Sequence, residues 1–217
     1  MTFLDFFAGI GGFRLGLEQA GHQCVGFCEY DKFATMSYIM MHIATKEQIE
    51  HLKTLKLYQR QKEILKDEYR NNEWYSNDVR TIQSSNIPKA DIWCFGFPCQ
   101  DISIAGKQRG LIGERSSLFF RIMQLVAEQK EENKPSILFI ENVKNLLSIN
   151  RGWDFARLLM CLEENGYDAE WQVIDSSEQG GGHNIEKGCI LLDILEKEVP
   201  DKYFLSKEKM NLLVCNK

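Results

Sequence analysis

Thr2-Phe3-Leu4-Asp5-Phe6-Phe7-Ala8-Gly9-Ile10-Gly11-Gly12-Phe13 opens the chain with an apolar run that breaks into a cluster of glycines. The run from Thr2 to Phe7 predicts a short, buried first strand. Phe13 to Ala20 then reads as a helix. Strand, glycine-rich turn and helix together make an opening suited to a nucleotide: glycines let a ligand approach the backbone, and a helix N-terminus favours negative charge. After Gly21, His22 to Phe27 reads as a second strand that ends at Glu29-Tyr30-Asp31. An acidic residue at the end of strand two, about 20 residues past the glycines, is placed to bind ribose hydroxyls. This succession predicts a Rossmann-like α/β domain, a mostly parallel sheet flanked by helices, that holds an adenosine-containing cofactor. NAD and S-adenosylmethionine both fit such an opening.

A second strand-and-turn unit carries the reactive groups. In Asp91-Ile92-Trp93-Cys94-Phe95-Gly96-Phe97-Pro98-Cys99-Gln100-Asp101-Ile102-Ser103, the first apolar residues read as a buried strand and Gly96 to Pro98 as a sharp turn. Cys99 is thereby placed at a strand's carboxyl end, where open α/β sheets put their chemistry. Pro98 stiffens the turn. A thiol presented in this way is a candidate nucleophile, although a buried cysteine also serves as a small hydrophobe. Further on, Ser136 to Ile140 reads as another buried strand that delivers Glu141 to the same edge. Taken alone, Glu141 is better read as the N-cap environment of a helix over the segment Lys144 to Ile149.

These stretches resemble the motifs of DNA (cytosine-5)-methyltransferases. Asp5 to Phe13 is similar to the family's first motif, Cys28 to Asp31 to its second, Asn77-Asp78-Val79-Arg80 to its third, Gly96 to Gln100 to its catalytic motif, and Glu141-Asn142-Val143 to its acid motif. The resemblance selects S-adenosyl-L-methionine over NAD. It implies that Phe7, Ala8, Gly9, Ile10, Gly11 and Gly12 line the cofactor, that Glu29 takes the ribose and that Tyr30 lies against the adenine. Asp78 and Val79 would meet the adenine, with Gly96, Pro98 and Leu118 completing the site. It further implies that Cys99 attacks C6 of a flipped cytosine while Glu141 engages N3. The glycine-containing loop after Cys99, with Gln100, Ser103, Lys107, Arg109 and Arg115, would close over double-stranded DNA. A nicotinamide dehydrogenase would leave the Cys99 and Glu141 motifs unexplained.

Composition narrows the setting. With 217 residues, 44% hydrophobic and 26% charged, the chain is sized for one domain with room for a small appendage. No apolar run approaches a membrane span, and Met1 to Asp5 lacks the basic start of a signal peptide, so a cytoplasmic protein is expected. Seven cysteines without framework spacing point to reduced thiols. Cys24 and Cys28 have no second pair or nearby ligand histidine to complete a metal site, so they are expected in the core and no metal is expected. The net charge of −5 does not by itself suggest DNA, but Lys107, Arg109, Arg115 and Arg121 form a local basic run.

Two regions depart from the family pattern. Residues 42–72 carry a longer amphipathic helical pattern than expected there and read as a surface insertion within a catalytic domain over 1–175. After Asp175, the family's Gly-x-Pro-Gln-x-Arg-x-Arg motif and its strand are absent, and Ser177 runs into Gly180-Gly181-Gly182 instead. The simplest reading is a deletion between about Ser177 and Cys189, with 176–217 an irregular, partly helical remnant. Ile190 to Val199 has helical spacing, so the sheet is expected to lack one strand and to carry a strained or exposed edge. This departure predicts impaired activity. It also leaves room for a second chain that supplies target recognition, or for a cofactor-binding remnant without catalysis.

Overall fold

Alternation along the first strand sets the layers of the domain. The computed structural model describes residues 1–97, 118–174 and 188–195. β1 (Thr2–Phe6) sends Leu4 and Phe6 into one core cluster and Phe3 into another, as a two-residue side-chain period requires. β1 pairs in parallel with β2 (Gln23–Cys28) on one side and with β4 (Ile92–Gly96) on the other. β3 (Trp74–Ser76) continues the parallel sheet beyond β2, and β5 (Ile137–Val143) continues it beyond β4. β7 (Gly188–Leu195) then runs antiparallel between β5 and β6 (Tyr167–Ile174). The order is β3-β2-β1-β4-β5-β7-β6.

That order corrects the expectation of a missing strand. Gly188–Leu195, expected to be helical from Ile190 onward, is a strand, and it pairs with β5 from Ile137 to Val143. An apolar run of this length cannot be assigned by periodicity alone, because a strand held between two neighbours needs no alternation. Its backbone groups meet partners on both sides, so β5 is interior rather than an exposed or strained edge. The deletion expected between about Ser177 and Cys189 lies mostly outside the described residues.

The helices cover both faces. α1 (Gly12–Gln19) lays Phe13 and Leu17 against Phe3, Cys94 and Phe139. α2 (Lys32–Tyr38) starts at Asp31, whose side chain accepts the N–H groups of Phe33 and Ala34, so Asp31 is spent as a helix cap. Within residues 42–72, α3 (Lys46–Thr54) begins with a capping box between Thr45 and Gln48, and α4 (Leu57–Glu63) follows. These helices are not wholly superficial, since Leu52 and Ile64 pack with Phe27, Tyr38 and Ile39. On the opposite face, α5 (Leu118–Ala127) and α6 (Trp153–Glu164) bury Phe119, Ile122, Leu125, Leu158 and Leu162 against Trp93, Phe95, Leu138 and Ile140. Each such side chain contributes about 1.5–3 kcal/mol when fully removed from water. Among the described residues, no helix is long and apolar enough to cross a membrane.

Register then determines where the site lies. Phe6 is level with Cys28 on one side and Phe95 on the other, and Phe95 is level with Ile140. The segments that leave β1, β2, β4 and β5 therefore emerge together at the carboxyl edge of the parallel strands, the edge at which open α/β sheets bind ligands.

Candidate active site

A cavity of about 480 Å³ opens at this edge, lined by Phe7, Cys28, Glu29, Tyr30, Asn77, Asp78, Val79, Arg80, Gly96 and Leu118. Seven residues assigned to the cofactor on sequence grounds thus share one set of walls: Phe7, Glu29, Tyr30, Asp78, Val79, Gly96 and Leu118. Ala8, Gly9, Ile10, Gly11 and Gly12 form the turn next to Phe7 and are not among the wall residues. The turn is nonetheless tied to the cavity, because the Gly9 N–H donates to Glu29 Oε2 at 2.8 Å. Glu29 Oε1 accepts the Asp31 N–H at 2.7 Å. A carboxylate has about four lone-pair positions, so Glu29 retains acceptor capacity for a ligand.

Asp78 is more committed than its sequence context suggested. Its carboxylate receives the Arg80 side chain on both oxygens, Nε to Oδ1 at 2.8 Å and Nη2 to Oδ2 at 2.7 Å, and also caps the Arg80 N–H. The hydrogen bond from Arg80 holds the Asp78 carboxyl below its ordinary pKa. The Arg80 guanidinium also lies 5.5 Å from the ring centre of Tyr30, itself 73% exposed. Arg80 is the one cation among the described wall residues, and it is already paired. Such walls suit a ribose, an adenine face and cationic groups better than a pyrophosphate.

Glu141 lies at the same level as Gly96 across the β4–β5 pair, beside the Gly96–Phe97 exit from β4. The next residue secures that exit. Asn142, 3% exposed, donates from Nδ2 to the Phe97 carbonyl at 2.7 Å, and its Oδ1 accepts the Val143 N–H. Pro98, Cys99, Gln100, Ser103, Lys107, Arg109 and Arg115 lie outside the described residues. Arg121, the last member of the basic run, directs its guanidinium to the carbonyls of Val79 and Ile82 and so fastens α5 behind the cavity wall instead of facing outward as part of a basic surface.

Sequence reasoning missed Cys28, Asn77 and Arg80 as wall residues and Asn142 as a brace. The spacing Asp78-x-Arg80 is short enough for a guanidinium to fold back on the carboxylate. Asn142, in a strand buried on both faces, had to be hydrogen-bonded. Cys24 and Cys28 are free and buried, as expected of core thiols. Burial pushes both thiols up to about 12 from the ordinary 9.0. Their contribution to stability is therefore complete below about pH 9 and drains away as the pH climbs toward 12. Alkylation at neutral pH followed by mass spectrometry is expected to leave both unmodified in the folded protein. Rapid labelling of either would contradict the burial.

The family model for C-5 cytosine-specific DNA methylase matches residues 1–66 and 56–186. Type II methyltransferase M.HhaI of Haemophilus parahaemolyticus is 33% identical over 180 residues, covering 83% of this chain and 45% of that protein. Type II methyltransferase M2.ScrFI of Lactococcus lactis subsp. cremoris is 30% identical over 258 residues, covering 95% of this chain and 71% of that protein. The chain spans between 36% and 71% of the length of curated relatives it matches, and 45% of M.HhaI. Among solved structures, the Dnmt2 methyltransferase of S. pombe superposes with a TM-score of 0.64 at 16% identity, covering 92% of this chain and 52% of that one. The Entamoeba histolytica methyltransferase EhMeth superposes with a TM-score of 0.56 at 17% identity, covering 92% and 55%. At such identities the structural likeness establishes the fold, while the family match and the M2.ScrFI relative establish kinship: the chain belongs to the C-5 cytosine-specific DNA methylase family.

Proposed function

We propose that this chain is the catalytic core of a DNA (cytosine-5)-methyltransferase that uses S-adenosyl-L-methionine. The observation that carries the proposal is convergence at one sheet edge. The cavity walls that follow β1 and β2 reach Gly96 at the end of β4, and Glu141 of β5 is level with Gly96. The cavity is large enough for a cofactor of this size. Phe7, Glu29, Tyr30, Asp78 and Leu118 would hold S-adenosylmethionine, which supplies an electrophilic methyl group on a sulfonium sulfur. The catalytic domain occupies 1–175, with the helices over 42–72 as an insertion. Free thiols at the buried Cys24 and Cys28 accord with work in a reducing cytoplasm.

In this reading the Cys99 thiolate adds to C6 of a cytosine that has left the duplex stack, as bases modified in a duplex must. Glu141 holds a proton or hydrogen bond at N3 and so stabilises the charge that the addition places on the ring. C5 becomes nucleophilic and takes the methyl group. Loss of the C5 proton to a base then restores the double bond and expels the Cys99 thiolate. The residue type matters because the attacking group must also be a competent leaving group, and sulfur is both. Gln100, Ser103, Lys107, Arg109 and Arg115 would contact the DNA.

The test is direct. Purified chain, S-adenosylmethionine labelled in the methyl group and duplex DNA are incubated, and the DNA is digested to nucleosides. Label in 5-methylcytosine is the expected result. Label in another base, or none from a folded protein that binds the cofactor, overturns the assignment of a self-sufficient core. Label that appears only when a second chain is added assigns target recognition to that chain.

A further inference from the structure

Helix α2 passes without a break into a single π turn over Ile39–Ile43, closed by the Ala44 N–H bonding to the Ile39 carbonyl at 2.8 Å. A π turn holds one residue more than an α turn, is poorly stable on its own and recurs at functional sites. Here it delivers His42 to the glycine turn. His42 Nε2 lies 2.8 Å from the Ile10 carbonyl, and because a carbonyl only accepts, Nε2 carries the proton. The backbone carbonyl of His42 receives Arg14 Nη2 at 3.4 Å, which links the π turn to α1 as well.

The turn is consequently gripped from two sides. Gly9 gives its N–H to Glu29 at the end of β2, and Ile10 gives its carbonyl to His42. Gly11 follows directly at φ +94, where a Cβ would stand 2.3 Å from His42 Nε2. Gly11 is the residue whose backbone could most readily turn the Ile10–Gly11 peptide over. His42 does not line the cavity, so any influence on the ligand passes through the turn.

We propose that His42 is a positioning residue for S-adenosylmethionine: by taking the Ile10 carbonyl it fixes the Ile10–Gly11 peptide and keeps the glycine turn in its binding shape before the ligand arrives. This rests on the cavity being the S-adenosylmethionine site. His42 is half-buried and its bond to the Ile10 carbonyl lies at the surface, so water can replace that hydrogen bond when the ring is removed, and folding should survive the loss.

The test compares wild type, His42→Ala and His42→Gln, the last retaining a donor at the side-chain tip. Amide hydrogen exchange in the ligand-free proteins is expected to speed up from Ile10 to Phe13 in His42→Ala. S-Adenosylmethionine affinity by calorimetry should fall roughly three- to ten-fold, the weight of one hydrogen bond, with His42→Gln restoring most of it. KM for the cofactor should rise by a similar factor while kcat stays nearly constant. A folded His42→Ala with unchanged exchange, or with faster exchange but unchanged affinity, overturns the positioning role. If His42→Ala does not fold, His42→Met fills the space without a donor and carries the same comparison. Wild type that fails to bind S-adenosylmethionine overturns the cofactor reading instead, and the exchange data still decide whether His42 fixes the turn.

Discussion

Cys99→Ser is expected to lower methyl transfer by roughly 10⁴-fold or more, the usual scale for removing a covalent nucleophile, and to abolish covalent capture on 5-fluorocytosine DNA. Fluorine at C5 cannot leave as a proton does, so the enzyme stays bonded to C6 once it has attacked and transferred the methyl group. Serine is close in size but remains a neutral hydroxyl near pH 7, and its alkoxide is a poor leaving group. The exchange of sulfur for oxygen barely alters side-chain volume, so stability and cofactor binding should be retained. Cys94 provides the internal control. It lies five residues earlier in the same stretch, but it is fully buried in β4 with its Sγ 3.0 Å from the Leu4 carbonyl. Cys94→Ser keeps a donor toward Leu4 and should keep activity per folded molecule. Adduct formation that survives Cys99→Ser would remove Cys99 from the mechanism. Its loss in both variants would point to damage in the sheet edge rather than to missing chemistry.

The parts of this architecture that were legible in the sequence are those encoded by neighbours. β1, the glycine turn, α1, β2 and Glu29 follow one another within thirty residues, and each is specified by its own composition. The same holds for β4 and for β5, although β5 runs two residues past Glu141 to Val143. What could not be read depends on distant partners. Gly188–Leu195 becomes a strand because β5 and β6 lie on either side, and nothing in its own spacing distinguishes that from a helix. The π turn is invisible because its residues continue the helical pattern of α2, and the extra residue shows only in how His42 is aimed. Asp78, read from its motif as an adenine contact, also bonds Arg80 through both oxygens, a local pairing that the motif does not announce. Arg14 gave no signal, since its partner Glu73 is 59 positions away.

Arg14→Met is expected to destabilise the fold by about 3 kcal/mol, near the lower end of the range for breaking a buried ion pair. Arg14 is 4% exposed on α1, directly after the glycine turn. Its Nη1 and Nη2 meet the two Glu73 oxygens at 2.7 and 2.8 Å, and its Nε meets Glu18 at 2.9 Å. The guanidinium also lies over Tyr38 at 5.4 Å. Burial on its own would lower the pKa of Arg14, but the Glu73 hydrogen bond and the nearby Tyr38 outweigh it, and the group stays charged. Methionine fills the volume but leaves Glu73 without its counterion, and partial access of Glu73 to water keeps the cost below the upper end. Lysine should recover little, because a single ammonium cannot reproduce the fork that serves Glu73 twice and Glu18 once. Arg14→Met combined with Glu73→Gln removes the stranded charge and should regain a large part of the loss, which urea unfolding of the four proteins would measure as a coupling energy. Additive losses in that cycle would mean that Arg14 stabilises α1 through packing on Tyr38 and not through the carboxylate. A coupled result would mean that one buried ion pair ties α1, directly after the glycine turn, to the approach to β3, and the same guanidinium also reaches the His42 carbonyl of the π turn.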